Sequence, residues 1–83
     1  MHGIDFIKIA QERVMEVAKN SLPNDTLGDT VYLVSYYKEI QNSKGTFAIS
    51  GSNKAFFEVT YNGDKQEMYV DMYDDKKQVV YKD

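Results

Sequence analysis

Cysteine and tryptophan are absent from this chain, and histidine, arginine and proline occur once each. Without cysteine there is no disulfide, no thiolate nucleophile and no Cys-based metal site, which fits a reducing compartment. The one histidine, His2, lies beside a terminus expected to fray. Histidine catalysis and multi-histidine metal sites therefore drop out. The one arginine, Arg13, and lysines scattered among acids form no cluster of the kind that grips phosphate backbones. Ten basic residues against 13 acidic ones leave a net charge of −3, and nucleic acid is disfavoured as a partner. No apolar run approaches the roughly 20 residues that span a bilayer. No charged segment followed by an apolar core marks a secretory signal. The expectation is a soluble, cytoplasmic protein.

What remains is a chain of 83 residues, 42% hydrophobic and 13% aromatic, which argues against disorder. Its length bounds it to a single small domain over residues 1–83. From Ile4 to Asn20, residues Phe6, Ile7, Ala10, Val14, Val17 and Ala18 recur at helical spacing in one stripe, with Lys8, Glu12, Glu16 and Lys19 outside it. Asp5 is placed to cap this helix, with Ile4 and Ile9 in the positions of a hydrophobic staple. Pro23 restrains Leu22 to extended geometry and stops the helix near Asn20 or Ser21.

After a polar loop, the pattern predicts strands over about 31–40, 46–50, 55–61 and 66–73. Turns fall at 41–45 and 51–53, and Ser35 interrupts the first strand. Residues 78–83 read as a short extension or tail. Short connections favour an antiparallel meander. A helix with one apolar stripe has only that sheet to bury it against. The expected fold is α+β, a two-layer sandwich of one N-terminal helix on a four-stranded antiparallel meander, with one sheet face left open.

Strand parity around Asn62-Gly63, the strongest short hairpin signal, separates the two faces. Phe57, Val59, Tyr61, Met68, Val70 and Met72 fall towards the core. Phe56, Glu58, Thr60, Glu67, Tyr69, Asp71 and Tyr73 fall on the open side. A two-residue loop would set Glu58 opposite Glu67. A four-residue loop over 62–65 sets Glu58 opposite Tyr69 and Thr60 opposite Glu67, avoids that repulsion, and is favoured. Both leave the faces unchanged.

The open face has two readings. One is an ordinary solvated sheet surface, where tyrosine is common for its strand propensity. The other is a docking surface, with Phe56, Tyr69 and Tyr73 as anchors and Glu58, Glu67 and Asp71 matching a basic partner. Catalytic, cofactor and metal sites are not expected. Asp71, Asp74 and Asp75 lack the spacing of a calcium loop, and Glu58 with Glu67 would be an acid–base pair without a cleft. The readings kept open are a non-enzymatic interaction module and a single-strand nucleic-acid binder that stacks bases on Phe56, Tyr69 and Tyr73. Homodimerisation is compatible with the first.

The run from Phe57 to Tyr73 resembles the signature of a small uncharacterised family found in phages and prophages of Gram-positive bacteria such as streptococci and lactococci. That pattern is Tyr-Glu-x-Thr-Tyr-Asn-Gly-Asp-Lys-x-Glu-x-Tyr-x-Asp-x-Tyr, with Phe57 in place of the first Tyr. Val31 to Val34 and Lys38 to Asn42 are similar to a second block, and Ser35 stands where the family often has Trp. The resemblance covers roughly residues 31–73 and implies no activity. It implies a setting, a phage accessory protein inside the bacterial cell, in which the interaction reading takes a host or phage protein as partner.

Overall fold

The computed structural model describes residues 3–21, 30–40, 42–50, 55–73 and 77–82. Helix α1 runs over Gly3–Ser21 and ends two residues before Pro23. It starts earlier than the pattern predicts, so Asp5 lies inside the first turn rather than capping it. There, and with Lys19 in the last turn, the charges still complement the helix dipole. Ile4 and Ile9 both sit within the helix, not astride its start. Of the apolar stripe, Phe6, Ala10, Val14, Val17 and Ala18 are buried, and Ile7 packs at the margin.

The sheet has five strands, not four: β1 Thr30–Glu39, β2 Asn42–Ser50, β3 Ala55–Asn62, β4 Glu67–Met72 and β5 Lys77–Lys82. They lie in chain order and every neighbouring pair is antiparallel. The expected tail is thus a full edge strand. Its Val79 and Tyr81 pack against the rim of the core, while Gln78, Val80 and Lys82 are exposed.

The expected turn over 41–45 mostly belongs to β2, and the reason lies in Gly45. Its residue type suggests a turn, yet it sits mid-strand opposite Tyr36 and Val59 under the ring of Phe6. A Cβ there would come within 2.9 Å of Phe47 Cε1 and 3.2 Å of Phe6 Cε2. Glycine is needed for close approach: Phe6 lies 5.6 Å from the Tyr36 ring and 6.5 Å from the Phe47 ring. The interruption read at Ser35 is a β-bulge, where the β1–β2 register shifts between Leu33 and Ser35.

One sheet face supplies Phe47, Ile49, Phe57, Val59, Tyr61, Met68, Val70 and Met72 to a core closed by α1. Each side chain buried this way is worth about 1.5–3 kcal/mol, several times a surface ion pair. Beyond it, the Arg13 guanidinium lies 4.6 Å over the Tyr81 ring, and the Tyr81 hydroxyl donates to Glu16 Oε1 at 2.7 Å. That contact ties β5 to the helix.

Candidate functional site

Among the described residues no helix lies on the opposite face of the sheet, and the strand pairing fixes which residues meet there. One row crosses Tyr37, Lys44, Thr60, Tyr69 and Val80, and the next crosses Ser35, Thr46, Glu58, Asp71 and Gln78. A third runs from Tyr32 through Ala48 to Phe56. Tyr73 extends it by donating its backbone N–H to the Phe56 carbonyl at 3.2 Å. All seven residues expected on the open side belong to this face. Phe56 and Tyr73 are exposed, whereas Glu58, Thr60, Glu67, Tyr69 and Asp71 are half-buried among their neighbours.

The hairpin register differs from both expected ones. Asn62 pairs with Glu67, so the loop is Gly63 to Gln66, and Thr60 lies opposite Tyr69. Asn62 is therefore a strand residue. Its Oδ1 accepts the backbone N–H groups of Asp64 at 3.0 Å and Lys65 at 3.2 Å, and Gln66 takes the left-handed φ of 55° that closes the loop. This register sets Glu58 opposite Asp71, the kind of like-charge pair that the favoured loop was chosen to avoid.

The sheet answers that repulsion with partners from flanking strands. Lys44 Nζ lies 3.3 Å from Glu58 Oε1, and the Tyr73 hydroxyl donates to Glu58 Oε2 at 3.3 Å. Gln78 Nε2 donates to Asp71 Oδ1 at 2.8 Å. The Tyr69 hydroxyl donates to Glu67 Oε1 at 2.5 Å, and Lys82 reaches Glu67 Oε2 at 3.9 Å. Donating to that carboxylate raises the Tyr69 phenol above its ordinary pKa of 10.0. Glu58, Glu67 and Asp71 thus each engage a neighbour on the face itself.

The surface left over is aromatic and aliphatic. Tyr32, Val34, Tyr37, Phe56, Tyr73 and Val80 keep about half their surface or more exposed. Ala48 faces outward in the register, between Tyr32 and Phe56, yet is only 2% exposed. Sequence parity missed Tyr32, Val34, Tyr37 and Val80. The bulge breaks alternation along β1, and β5 has Lys at each end and too short an alternation to separate from a tail.

At one end of this face, the β1–β2 and β3–β4 tips border a groove of about 410 Å³. Its lining includes Tyr37, Glu39, Ile40, Lys44, Thr60 and Asp64. The two tips are stitched together where the Gly63 N–H donates to Asn42 Oδ1 at 3.2 Å. Among the described residues, no three potential metal ligands come together, and no helix is long and apolar enough to cross a membrane. Asp74, Asp75 and His2 lie outside the described residues.

The chain belongs to a family of unknown function, DUF6275, whose model matches residues 7–83. The match takes in most of α1 and all five strands. Comparison with curated proteins and with solved structures gave no match.

Proposed function

We propose that this member of the family is a non-enzymatic interaction module that docks a partner protein on its uncovered sheet face. The setting is that of a phage or prophage accessory protein in the cytoplasm of a bacterial host, and the partner is a host or phage protein. The single observation that carries this reading is the cross-strand row Tyr32, Ala48, Phe56 and Tyr73, three half-exposed rings around a buried outward alanine. Exposed aromatics scattered singly need no explanation, but rings that neighbour one another across three strands are different. Rings held in fixed places lose little entropy on binding, and such anchors carry most of the energy of an interface.

A basic partner remains the electrostatic match for a chain of net charge −3. A host-defence inhibitor whose carboxylates imitate phosphates draws less support, since Glu58, Glu67 and Asp71 are engaged within the sheet. The row of rings also favours one other reading, stacking of single-stranded nucleic acid. Against it, the open-face lysines Lys44 and Lys82 face Glu58 and Glu67.

The test is affinity capture from infected and uninfected Gram-positive host lysate with wild type and a folded Phe56→Ser, Tyr73→Ser variant. A partner held by wild type and reduced at least tenfold by the variant is the expected result. Equal recovery by both forms contradicts the reading. Salt-sensitive binding of a labelled oligonucleotide at micromolar protein would favour the stacking alternative instead.

A further inference from the structure

We infer that the groove between the two hairpin tips holds an arginine side chain presented by a basic segment of the partner protein. The inference rests on the interaction-module reading and names the chemistry recognised at one end of the face. Three features of the groove converge on it.

The first is its rigidity. Asn42 Oδ1 joins the tips, and Asn62 Oδ1 fixes the loop that carries Asp64, so the walls are set before a ligand arrives. The second is its apolar wall. Tyr37 is 62% exposed and Ile40 is 86% exposed, the highest values among the described large hydrophobic residues. Ile40 also holds a φ of 53°, a left-handed conformation that a β-branched side chain strongly disfavours. Glycine or asparagine would fit that tip with less strain. An exposed isoleucine held there against its backbone preference is a side chain placed for contact.

The third is charge. Glu39 and Asp64 bring two carboxylates to the lining, and the Tyr37 hydroxyl holds Glu39 by donating to Oε2 at 2.8 Å. Lys44 is the one basic residue of the lining, and its ammonium lies 3.3 Å from Glu58, which is not part of the groove. A guanidinium meets all three features. Its plane stacks on a tyrosine ring, its fork of N–H donors suits carboxylates, and its aliphatic stem lies along isoleucine. A lysine ammonium shares the charge but not the planar stacking. A second copy of this chain is a poor source, because its single arginine, Arg13, lies over the Tyr81 ring and donates to Met68 Sδ at 3.5 Å.

The experiment is an NMR titration of the uniformly labelled protein with N-acetyl-arginine amide, N-acetyl-lysine amide and N-acetyl-glutamine amide at matched ionic strength. The expected result is saturable shifts from the arginine probe in the millimolar range, confined to the amides of Tyr37, Ile40, Lys44, Gly63 and Asp64. The lysine probe binds several-fold more weakly, and the glutamine probe gives no saturation. A Glu39→Gln, Asp64→Asn variant weakens the arginine probe at least fivefold. Ile40→Gly raises the unfolding midpoint yet weakens the probe, a split that a purely structural isoleucine would not give.

Equal, unsaturated drift with all three probes overturns the inference. So do saturable shifts that ignore the Glu39→Gln, Asp64→Asn change, or that appear with inorganic phosphate. The same variants separate this inference from the reading it rests on. A partner lost on Phe56→Ser, Tyr73→Ser but retained by Glu39→Gln, Asp64→Asn keeps the interaction module and rejects the arginine groove.

Discussion

Phe56 and Phe57 are adjacent on β3 and point to opposite sides of one sheet. Phe57 is sealed under α1 with no exposed surface, while Phe56 keeps 51% of its own. The faces they stand on are built by different means. The covered side is held by apolar burial, with a glycine at its tightest point. The uncovered side is held by rungs of hydrogen bonds and ion pairs between carboxylates and their cross-strand neighbours, with aromatic rings left between the rungs. A face organised in that way keeps its shape without being buried. That is the property a preformed contact surface needs.

The largest effect that tests this contrast is the pair of truncations Phe57→Ala and Phe56→Ala. The buried ring should cost about 3–5 kcal/mol in urea unfolding, and the exposed one less than about 1 kcal/mol. Similar losses at both positions would mean that the outer face is a structural layer. Next comes Gly45→Ala, which drives a methyl towards the rings of Phe47 and Phe6. It should lower stability by about 1–3 kcal/mol in the same assay, because both rings are fully buried and one must move to admit the methyl.

The clamp on β5 has a pH signature. Burial, then the hydrogen bond to Glu16, push the Tyr81 phenol up from 10.0 to about 12. In the unfolded chain Tyr81 ionises near 10, so between those values the unfolded state binds fewer protons and stability falls as pH rises. The contribution is complete below pH 10. Tyr81→Phe should flatten that part of the loss relative to wild type in thermal melts taken from pH 9 to 12. The smallest effect belongs to the open face: Lys44→Ala removes the cation paired with Glu58, which still stands opposite Asp71. A loss of about 0.5 kcal/mol is expected at low salt, shrinking in 1 M salt.

The contrast between faces was legible in the sequence because alternation along β3 and β4 depends only on parity, and the observed pairing register differs from the favoured one by an even number of residues. Their register was not legible. It is set by Asn62 Oδ1 capturing two loop N–H groups and by Gln66 adopting a positive φ. Like-charge repulsion misleads for a related reason: Lys44 and Gln78, which relieve Glu58 and Asp71, come from strands that the hairpin alone does not reveal. Gly45 reads as a turn because its role is defined by Phe6, which lies 39 positions away in the chain. Tyr32, Val34 and Tyr37 were hidden by the bulge, which shifts parity within one strand.

The most direct test of the account is to place a photocrosslinking phenylalanine analogue, one position at a time, across the molecule in the host lysate. Tyr73 and Val80 would report for the open face, and Lys8 and Glu12 for the exposed side of α1. The account predicts a common crosslinked protein from Tyr73 and Val80, and none from Lys8 or Glu12. Crosslinks from the helix positions alone, or from none of the four, would contradict the claim that the uncovered sheet face is the contact surface.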